Sequence, residues 1–263
     1  MGPRMTSKRI DYQACYDGLV ARGGATAIDA VANWEKRRDL SDVIPFVKSF
    51  AHEALFQITS DEVRCVLDRT EHALGDVESN EQLDFVENFS CPFALHHLFH
   101  RLVERTCSLP TWQRFWRWMN NQAKDKWIDP LWDSARLNIG NSSNEGVERA
   151  IRWRLGKFYY SAIREIEFLS SMRERGIDLN YHVLADVLLR ADFWTKDHII
   201  CIYFPNKIYR TDISGRKPPA SRFLGSASPP FKIIDFGVES FGYGRAWLIT
   251  DQSKDELAHL LSV

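Results

Sequence analysis

The chain has little of what marks several classes of protein. Its five cysteines are scattered, odd in number and form no Cys-x-x-Cys pair, so neither a disulfide framework nor a zinc ribbon is indicated. No run of about 18 apolar residues is present, and the N-terminus carries no hydrophobic segment, which argues against a membrane span and a secretory signal. We therefore expect a cytoplasmic protein with no membrane contact.

Signature loops and a dominant charge are also missing. The sequence has no Gly-x-Gly-x-x-Gly, no Walker loop and no Gly-x-Ser-x-Gly, so nucleotide-dependent and serine-hydrolase functions have no local support. Its 34 Lys and Arg balance 35 Asp and Glu. Residues 147–263 carry 17 basic against 14 acidic side chains, which is compatible with a nucleic-acid surface in the second half of the chain.

The first half has apolar residues at helical spacing, which predicts an all-helical domain. The predicted helices are 25–38, 40–56, 61–74 with Ser60 as its cap, 82–89, 92–106 and 111–126. A Gly, Asn and Ser-rich stretch at 137–146 then has the composition of a linker. We therefore predict a helical domain over 1–140 and a second domain over 147–263.

The second half changes from helical to strand-like spacing. A long helix is predicted over 147–176, and the stretch 183–194 then places Asp186, Arg190 and Asp192 on one side of a predicted strand. Such an acidic sheet face is costly to bury, so we expect it to line a cleft. Further predictions are strands at 199–204, 231–238 and 245–250, a loop at 214–230 with one helical turn at 220–224, and a helix from Ser253 to 261.

This order of elements resembles the restriction-endonuclease-like, or PD-(D/E)xK, nuclease superfamily across 147–263. The resemblance implies an α+β/α fold class, in which the all-helical domain is followed by a small α/β endonuclease-like domain. It also implies that the family's helix glutamate falls on Glu165 or Glu167 and its metal-binding aspartate on Asp192, with Asp186 as the competing choice. These carboxylates would hold Mg²⁺ for phosphodiester hydrolysis.

The third strand departs from the family pattern. Residues 199–204 contain no Glu-x-Lys or Gln-x-Lys, so a ligand and the charge-stabilising lysine are missing from their usual places. Lys207, just beyond this strand, is our candidate for the charge-stabilising group, and Lys196 in the preceding turn is the alternative. A catalytically degenerate nuclease fold that acts as a binding or scaffolding subunit therefore stays open beside the active endonuclease.

Basic residues interleaved with aromatic ones surround the predicted cleft, a mixture that suits phosphate contact and base stacking. The candidate nucleic-acid-binding residues are Arg190, Lys196, Arg210, Arg216, Lys217 and Arg222. DNA is the expected partner, and the architecture suits bacterial, including antiviral, defence or a mobile element, by analogy alone. A protein partner gripped by the helical domain is the further alternative, and 209–222 also fits a solvated loop.

Two clusters in the helical half allow more than one interpretation. His96 and His100 stand four residues apart, the spacing with which two imidazoles meet one Zn²⁺, but their segment is otherwise apolar and favours core or interface histidines. Trp112, Trp116 and Trp118 belong to a tryptophan-dense segment that could stack bases. Since Trp112 and Trp116 share a helical face with other apolar residues, core packing is the favoured interpretation.

Overall fold

Helices surround small β-sheets in this protein, so the predicted mixture of helix and sheet is confirmed. The computed structural model describes residues 8–75, 96–138, 144–204 and 219–262. Within these ranges no helix is both long and apolar enough to cross a membrane.

The N-terminal part is helical but more interrupted than the sequence predicts. Its elements are β1 (Ile10–Asp11), α1 (Tyr12–Cys15), a π-helical turn (Tyr16–Val20), α2 (Ala21–Gly23), α3 (Ala25–Glu35), α4 (Val43–Ser49), β2 (Ala51–His52) and α5 (Ser60–Asp68), with 3-10 turns at Arg38–Leu40 and Ala54–Gln57. The predicted helix over 40–56 is wrong outside α4, because Phe50 is extended and leads the chain into β2, which pairs with β1. The cap of α5 is Thr59, whose side chain and that of Glu62 form a capping box.

The middle of the chain is helical, as predicted. Its elements are α6 (His96–Thr106), α7 (Trp112–Asn121), a π-helical turn (Lys124–Ile128), α8 (Asp129–Asn138) and α9 (Asn144–Glu174). Thr111 caps α7 by accepting a hydrogen bond from the N–H of Arg114. Gly176, in the left-handed region with φ of 80°, ends α9, where the N–H of Ile177 bonds back to Met172. The helix predicted at 82–89 lies outside the described residues.

The C-terminal part carries the main sheet. Its elements are β3 (Phe193–Trp194), β4 (His198–Tyr203), α10 (Ser221–Leu224), β5 (Lys232–Gly237), β6 (Ser240–Tyr243), β7 (Ala246–Ile249) and α11 (Asp251–Ser262). β3 pairs antiparallel with β4, β4 pairs parallel with β5, and β6 and β7 form a separate antiparallel pair. The strands predicted at 199–204, 231–238 and 245–250, the turn at 220–224 and the final helix are thus confirmed.

The strand predicted over 183–194 is wrong for most of its length. Residues Ala185–Leu189 form a π-helical turn, and Arg190 ends it in the left-handed region with φ of 63°. Only the last two residues of the predicted strand, β3, are in a sheet. The alternation of apolar and polar residues over 183–194 predicts a strand, but it has another cause. Ala185, Leu189 and Ala191 are all buried in one core around a turn, rather than on one face of a sheet.

Two hydrophobic clusters cover the two faces of the β3–β4–β5 sheet. The larger cluster packs α9 against α5, α6, α7 and the face that carries Ile200 and Ile234. The second packs the helices before residue 50 against the face that carries Ile199 and Ile233. Helices therefore lie on both sides of the sheet, and each cluster draws residues from both sides of the predicted boundary near residue 140.

Candidate active site

The first wall of the site is one face of α9. Phe158, Ser161 and Glu165 follow each other at spacings of three and four residues, so they lie on the same side of the helix. The hydroxyl of Ser161 donates a hydrogen bond to Oε1 of Glu165 at 3.3 Å. Glu165 is half-buried, so its carboxylate is held at the edge of the larger core rather than in open solvent.

Asp186 comes from the π-helical turn at Ala185–Leu189 and is tied to two other elements. Its Oδ2 lies 2.9 Å from Nδ1 of His96, at the start of α6, and accepts a hydrogen bond from the hydroxyl of Tyr181 at 3.3 Å. Only 13% of the Asp186 side chain is exposed. The ring of His96 also packs 4.7 Å from that of Phe158, which brings α6 and α9 together beside Asp186.

Asp192 stands just before β3 and is positioned by the backbone. The left-handed conformation of Arg190 turns the chain out of the π-helical turn and into the sheet. Oδ2 of Asp192 then accepts a hydrogen bond of 2.7 Å from the N–H of Ile202 in β4. A short hydrogen bond from a backbone amide favours the ionised form of the carboxylate.

These three carboxylates act on one another electrostatically. Burial, together with the negative charges of Asp186 and Asp192, raises the pKa of Glu165 well above its ordinary value of 4.5. Burial and the same three carboxylates also raise the pKa of the Tyr181 hydroxyl well above 10.0. Carboxylates from α9, the π-helical turn and the residue before β3 are therefore near enough to influence one another. The catalytic and metal-binding roles predicted for Glu165, Asp186 and Asp192 stay a prediction.

Arg190 is a cationic group beside Asp186 and Asp192. Burial lowers the pKa of its guanidinium, while Asp186 and Asp192 favour its charged form. Its Nε is buried and has no hydrogen-bond partner among the described residues. The thiol of Cys201 in β4 donates a hydrogen bond to the carbonyl oxygen of Arg190. Burial and the charges of Asp192 and Asp235 raise the pKa of this thiol, so it stays neutral.

A buried set of imidazoles continues from the carboxylates into the protein. Nε2 of His100 is 2.8 Å from the hydroxyl of Tyr181, which in turn bonds to Asp186. The ring of His52 packs 4.9 Å from that of His100 and 5.2 Å from that of His182. All three histidines are at most 2% exposed, and burial lowers the pKa of each, to about 4 for His182.

Several predicted site residues lie elsewhere. Glu167 points away from Glu165 and forms a fully buried salt bridge of 2.7 Å with Lys254 of α11, so the choice between the two glutamates falls on Glu165. Lys196 is exposed and its carbonyl oxygen accepts a hydrogen bond from Arg22. Arg222 is exposed on α10, which packs against α2 and α3. The predictions that fall outside the described residues are Lys207, Arg210, Arg216 and Lys217.

His96 and Tyr181 contact Asp186 but are absent from the predicted site. The spacing of His96 and His100 was a usable signal, because it places both on the side of α6 that faces Asp186 and Tyr181. The spacing alone leaves a choice between zinc binding and core packing, whereas the structure pairs one histidine with an aspartate and the other with a tyrosine. Nothing local to Tyr181 indicates that its hydroxyl bridges His100 and Asp186.

Glu165, Asp186 and Asp192 are chemically suited to a hard divalent cation, because carboxylates supply oxygen ligands. A bound cation would also reduce the repulsion among their charges. The side chains are not arranged as a finished metal site. Across the described ranges, no three His, Cys, Asp or Glu side chains are grouped closely enough to hold an ion.

Comparisons with known proteins returned no relatives. No family model matches the chain, and no curated protein or solved structure matches it.

Proposed function

We propose that the protein is a divalent-cation-dependent nuclease whose active site is formed by Glu165, Asp186 and Asp192. The observation that carries the proposal is the placement of Glu165, Asp186 and Asp192 from separate chain segments near one another, where burial and the two aspartate charges together raise the pKa of Glu165. A fold gains no stability from placing like charges together, so such a cluster favours a functional role. The order of helix glutamate, then aspartate before a strand, agrees with the endonuclease-like resemblance in the sequence.

In this proposal each residue has a defined task. The three carboxylates would hold Mg²⁺, which would supply activation of a water molecule and neutralisation of charge on the phosphate. Arg190 contacts the phosphate, because its guanidinium lies beside the aspartates and its buried Nε has no protein partner among the described residues. His96 and Tyr181 orient Asp186. The charge-stabilising role of Lys207 stays a prediction.

The test uses Asp192→Asn, which keeps an oxygen that can accept the hydrogen bond from Ile202 but removes the charge. Calorimetric titration with Mn²⁺ and cleavage of single- and double-stranded DNA should both be measured. We expect Mn²⁺ affinity and cleavage rate to fall by more than the about 10–100-fold that outer-shell substitutions cost in metal sites.

The matched control is Glu148→Gln. Glu148 is exposed on α9 outside the cluster, so the substitution removes one negative charge without changing the site. It should bind Mn²⁺ and cleave as the parent protein does. Cleavage by Asp192→Asn at the parent rate would contradict the proposal.

A second candidate function is nucleic-acid binding without cleavage. It is favoured by the hydrogen bonds that already engage both aspartates, from His96 to Asp186 and from Ile202 to Asp192, and by the lack of an acidic-x-Lys pair in β4. This function predicts DNA binding that survives a chelator and Asp192→Asn. No cleavage by the parent protein in Mn²⁺, combined with such binding, would favour it over the nuclease.

A further inference from the structure

A pocket between α6 and α7 has a different character from the carboxylate cluster. Its volume is about 300 Å³, and it lies where the end of α6 meets the outer face of α7. The lining includes three arginines, a tryptophan ring and the amide of Gln122, the residue that ends α7; they are Arg105, Arg114, Arg117, Trp118 and Gln122.

The helical repeat explains why these side chains meet. Residues 114, 117, 118, 121 and 122 follow each other at spacings that place them on one side of α7. The opposite side carries Trp112, Phe115 and Met119, which are buried in the larger core. The tryptophans of this segment therefore lie in two different environments. Trp112 packs in the core, whereas Trp118 is half-buried and lines the pocket.

The pocket is strongly positive, and no described carboxylate neutralises its charge. All three arginines are exposed, and 105–122 contains no Asp or Glu. Across the described part of the chain, none of the three forms a salt bridge. The neighbouring carboxylate, Glu104, faces away, because it accepts hydrogen bonds from the backbone N–H groups of residues 53–55.

Neutral groups hold the pocket in shape. Oε1 of Gln122 accepts hydrogen bonds from Arg105 at 2.7 Å and from the indole of Trp118 at 3.0 Å. Nη1 of Arg114 donates to the hydroxyl of Ser108 at 3.3 Å. These bonds orient the guanidinium groups of Arg105 and Arg114 and the ring of Trp118. Because the acceptors are neutral, they do not cancel the positive charge of the arginines.

We propose that this arginine pocket binds phosphate, carried by a nucleotide or by a nucleic-acid strand. Planar guanidinium groups match phosphate oxygens in pairs, and convergent arginines without a carboxylate select an anion. The ring of Trp118 at the edge of the same pocket offers a surface on which a base stacks. The site is separate from the carboxylate cluster and does not depend on the proposed nuclease activity.

The experiment titrates the full-length protein by calorimetry with inorganic phosphate, adenosine monophosphate and a short oligothymidylate, each at low and at raised sodium chloride. We expect the Arg114→Gln/Arg117→Gln variant to bind the phosphate probes at least about tenfold more weakly, since charged hydrogen bonds are removed. Arg101→Gln is the matched control, because this exposed arginine lies one turn before Arg105 on α6 but outside the pocket lining. It should bind as the parent does.

The probes also distinguish the two sources of phosphate. A nucleotide that binds at least as tightly as the oligothymidylate supports a nucleotide site. Tighter binding of the oligothymidylate, with a steeper loss as salt is raised, supports a strand-binding site. The proposal is overturned if none of the probes binds, or if the double variant binds them as the parent does while circular dichroism shows both proteins folded.

Discussion

Among single residues, Glu165 is a side chain whose charge the fold opposes. Its carboxylate is half-buried on α9 with two aspartates nearby, and its hydrogen bond from Ser161 offsets only part of that cost. Because the native state raises the pKa of Glu165, it binds the proton more tightly than the unfolded chain does. The stability linked to this proton is fully present below about pH 4.5 and is lost as pH rises through the raised value.

Glu165→Gln should therefore stabilise the protein at neutral pH and leave its stability nearly unchanged at pH 4. Each unit by which the native pKa exceeds 4.5 corresponds to about 1.4 kcal/mol in the free energy of unfolding at high pH. Thermal unfolding between pH 4 and 8 measures the difference, with Glu148→Gln as the control that should follow the parent. A variant destabilised equally at every pH would show that Glu165 acts through its hydrogen bond and not through charge.

Arg190 is a second residue whose role depends on its backbone. Its left-handed conformation ends the π-helical turn at Ala185–Leu189, just before the chain reaches Asp192 and β3. A non-glycine residue in this region is uncommon and is maintained only by its surroundings. The sequence alone gave no sign of this conformation, because arginine has no preference for it.

At the scale of elements, α9 is the part that the sequence predicts best. Its 31 residues keep a helical period throughout, and Gly176 marks its end as expected. The segment after it, from Tyr181 to Asp192, is the part predicted worst. Its side chains are buried by distant helices, so tertiary packing decides between a short helical turn and a strand, and local alternation cannot.

The same division holds for the candidate site. Glu165, Asp186 and Asp192 could be named as candidates, because the resemblance places acidic residues there, and the structure brings their charges to bear on one another. His96 and Tyr181 could not be assigned, since their contacts with Asp186 join residues 90 and 5 positions away and depend on how α6 packs. The pocket formed by Arg105, Arg114 and Arg117 requires the angle between two helices, which no local pattern contains.

A buried ion pair between Glu167 and Lys254 joins α9 to α11, beside the apolar contacts of Leu257. Both side chains are fully buried, with 2.7 Å between Nζ of Lys254 and Oε1 of Glu167, and the hydroxyl of Ser171 donates to the same oxygen. Lys254→Met would leave the Glu167 carboxylate without its nearest cation. We expect a loss of about 3–5 kcal/mol in the free energy of unfolding, measured in urea.

The double variant Glu167→Gln/Lys254→Met should recover part of that loss, because no buried charge remains. Lys36→Met, at an exposed position, is the control and should change the free energy of unfolding by no more than about 0.5 kcal/mol. A cost for Lys254→Met similar to that of the control would show that the pair is solvated in solution.

For the whole molecule, the histidine set lies where the two hydrophobic clusters meet. His52 follows the N-terminal helices, His100 lies on α6 of the larger cluster, and His182 precedes residues of the second cluster. Their neighbours include Tyr181 and Glu104, whose Oε1 is 3.7 Å from Nδ1 of His52. Protonating a histidine here adds a buried positive charge at the junction that joins the two halves of the chain.

Stability should therefore fall as the solution becomes more acidic than about pH 6.5. The native state lowers the pKa of His52, His100 and His182, so the unfolded chain binds more protons in this range, and unfolding becomes more favourable as pH falls. This dependence has the opposite sign to that of Glu165. The two contributions to the pH dependence of stability can be separated by mutation. Substituting Glu165 removes only its own contribution, and substituting a histidine removes only the contribution of that histidine.

His52→Leu should be less stable than the parent at pH 7, since it loses the acceptor for the N–H of Val183, but its stability should depend less on pH between 6 and 4.5. The expected change in slope is about 1.4 kcal/mol per pH unit, the effect of one proton. His259→Gln, at an exposed position on α11, should keep the parent slope. Urea unfolding at a series of pH values measures both, and an unchanged slope in His52→Leu would mean that His52 is protonated alike in the folded and unfolded chain.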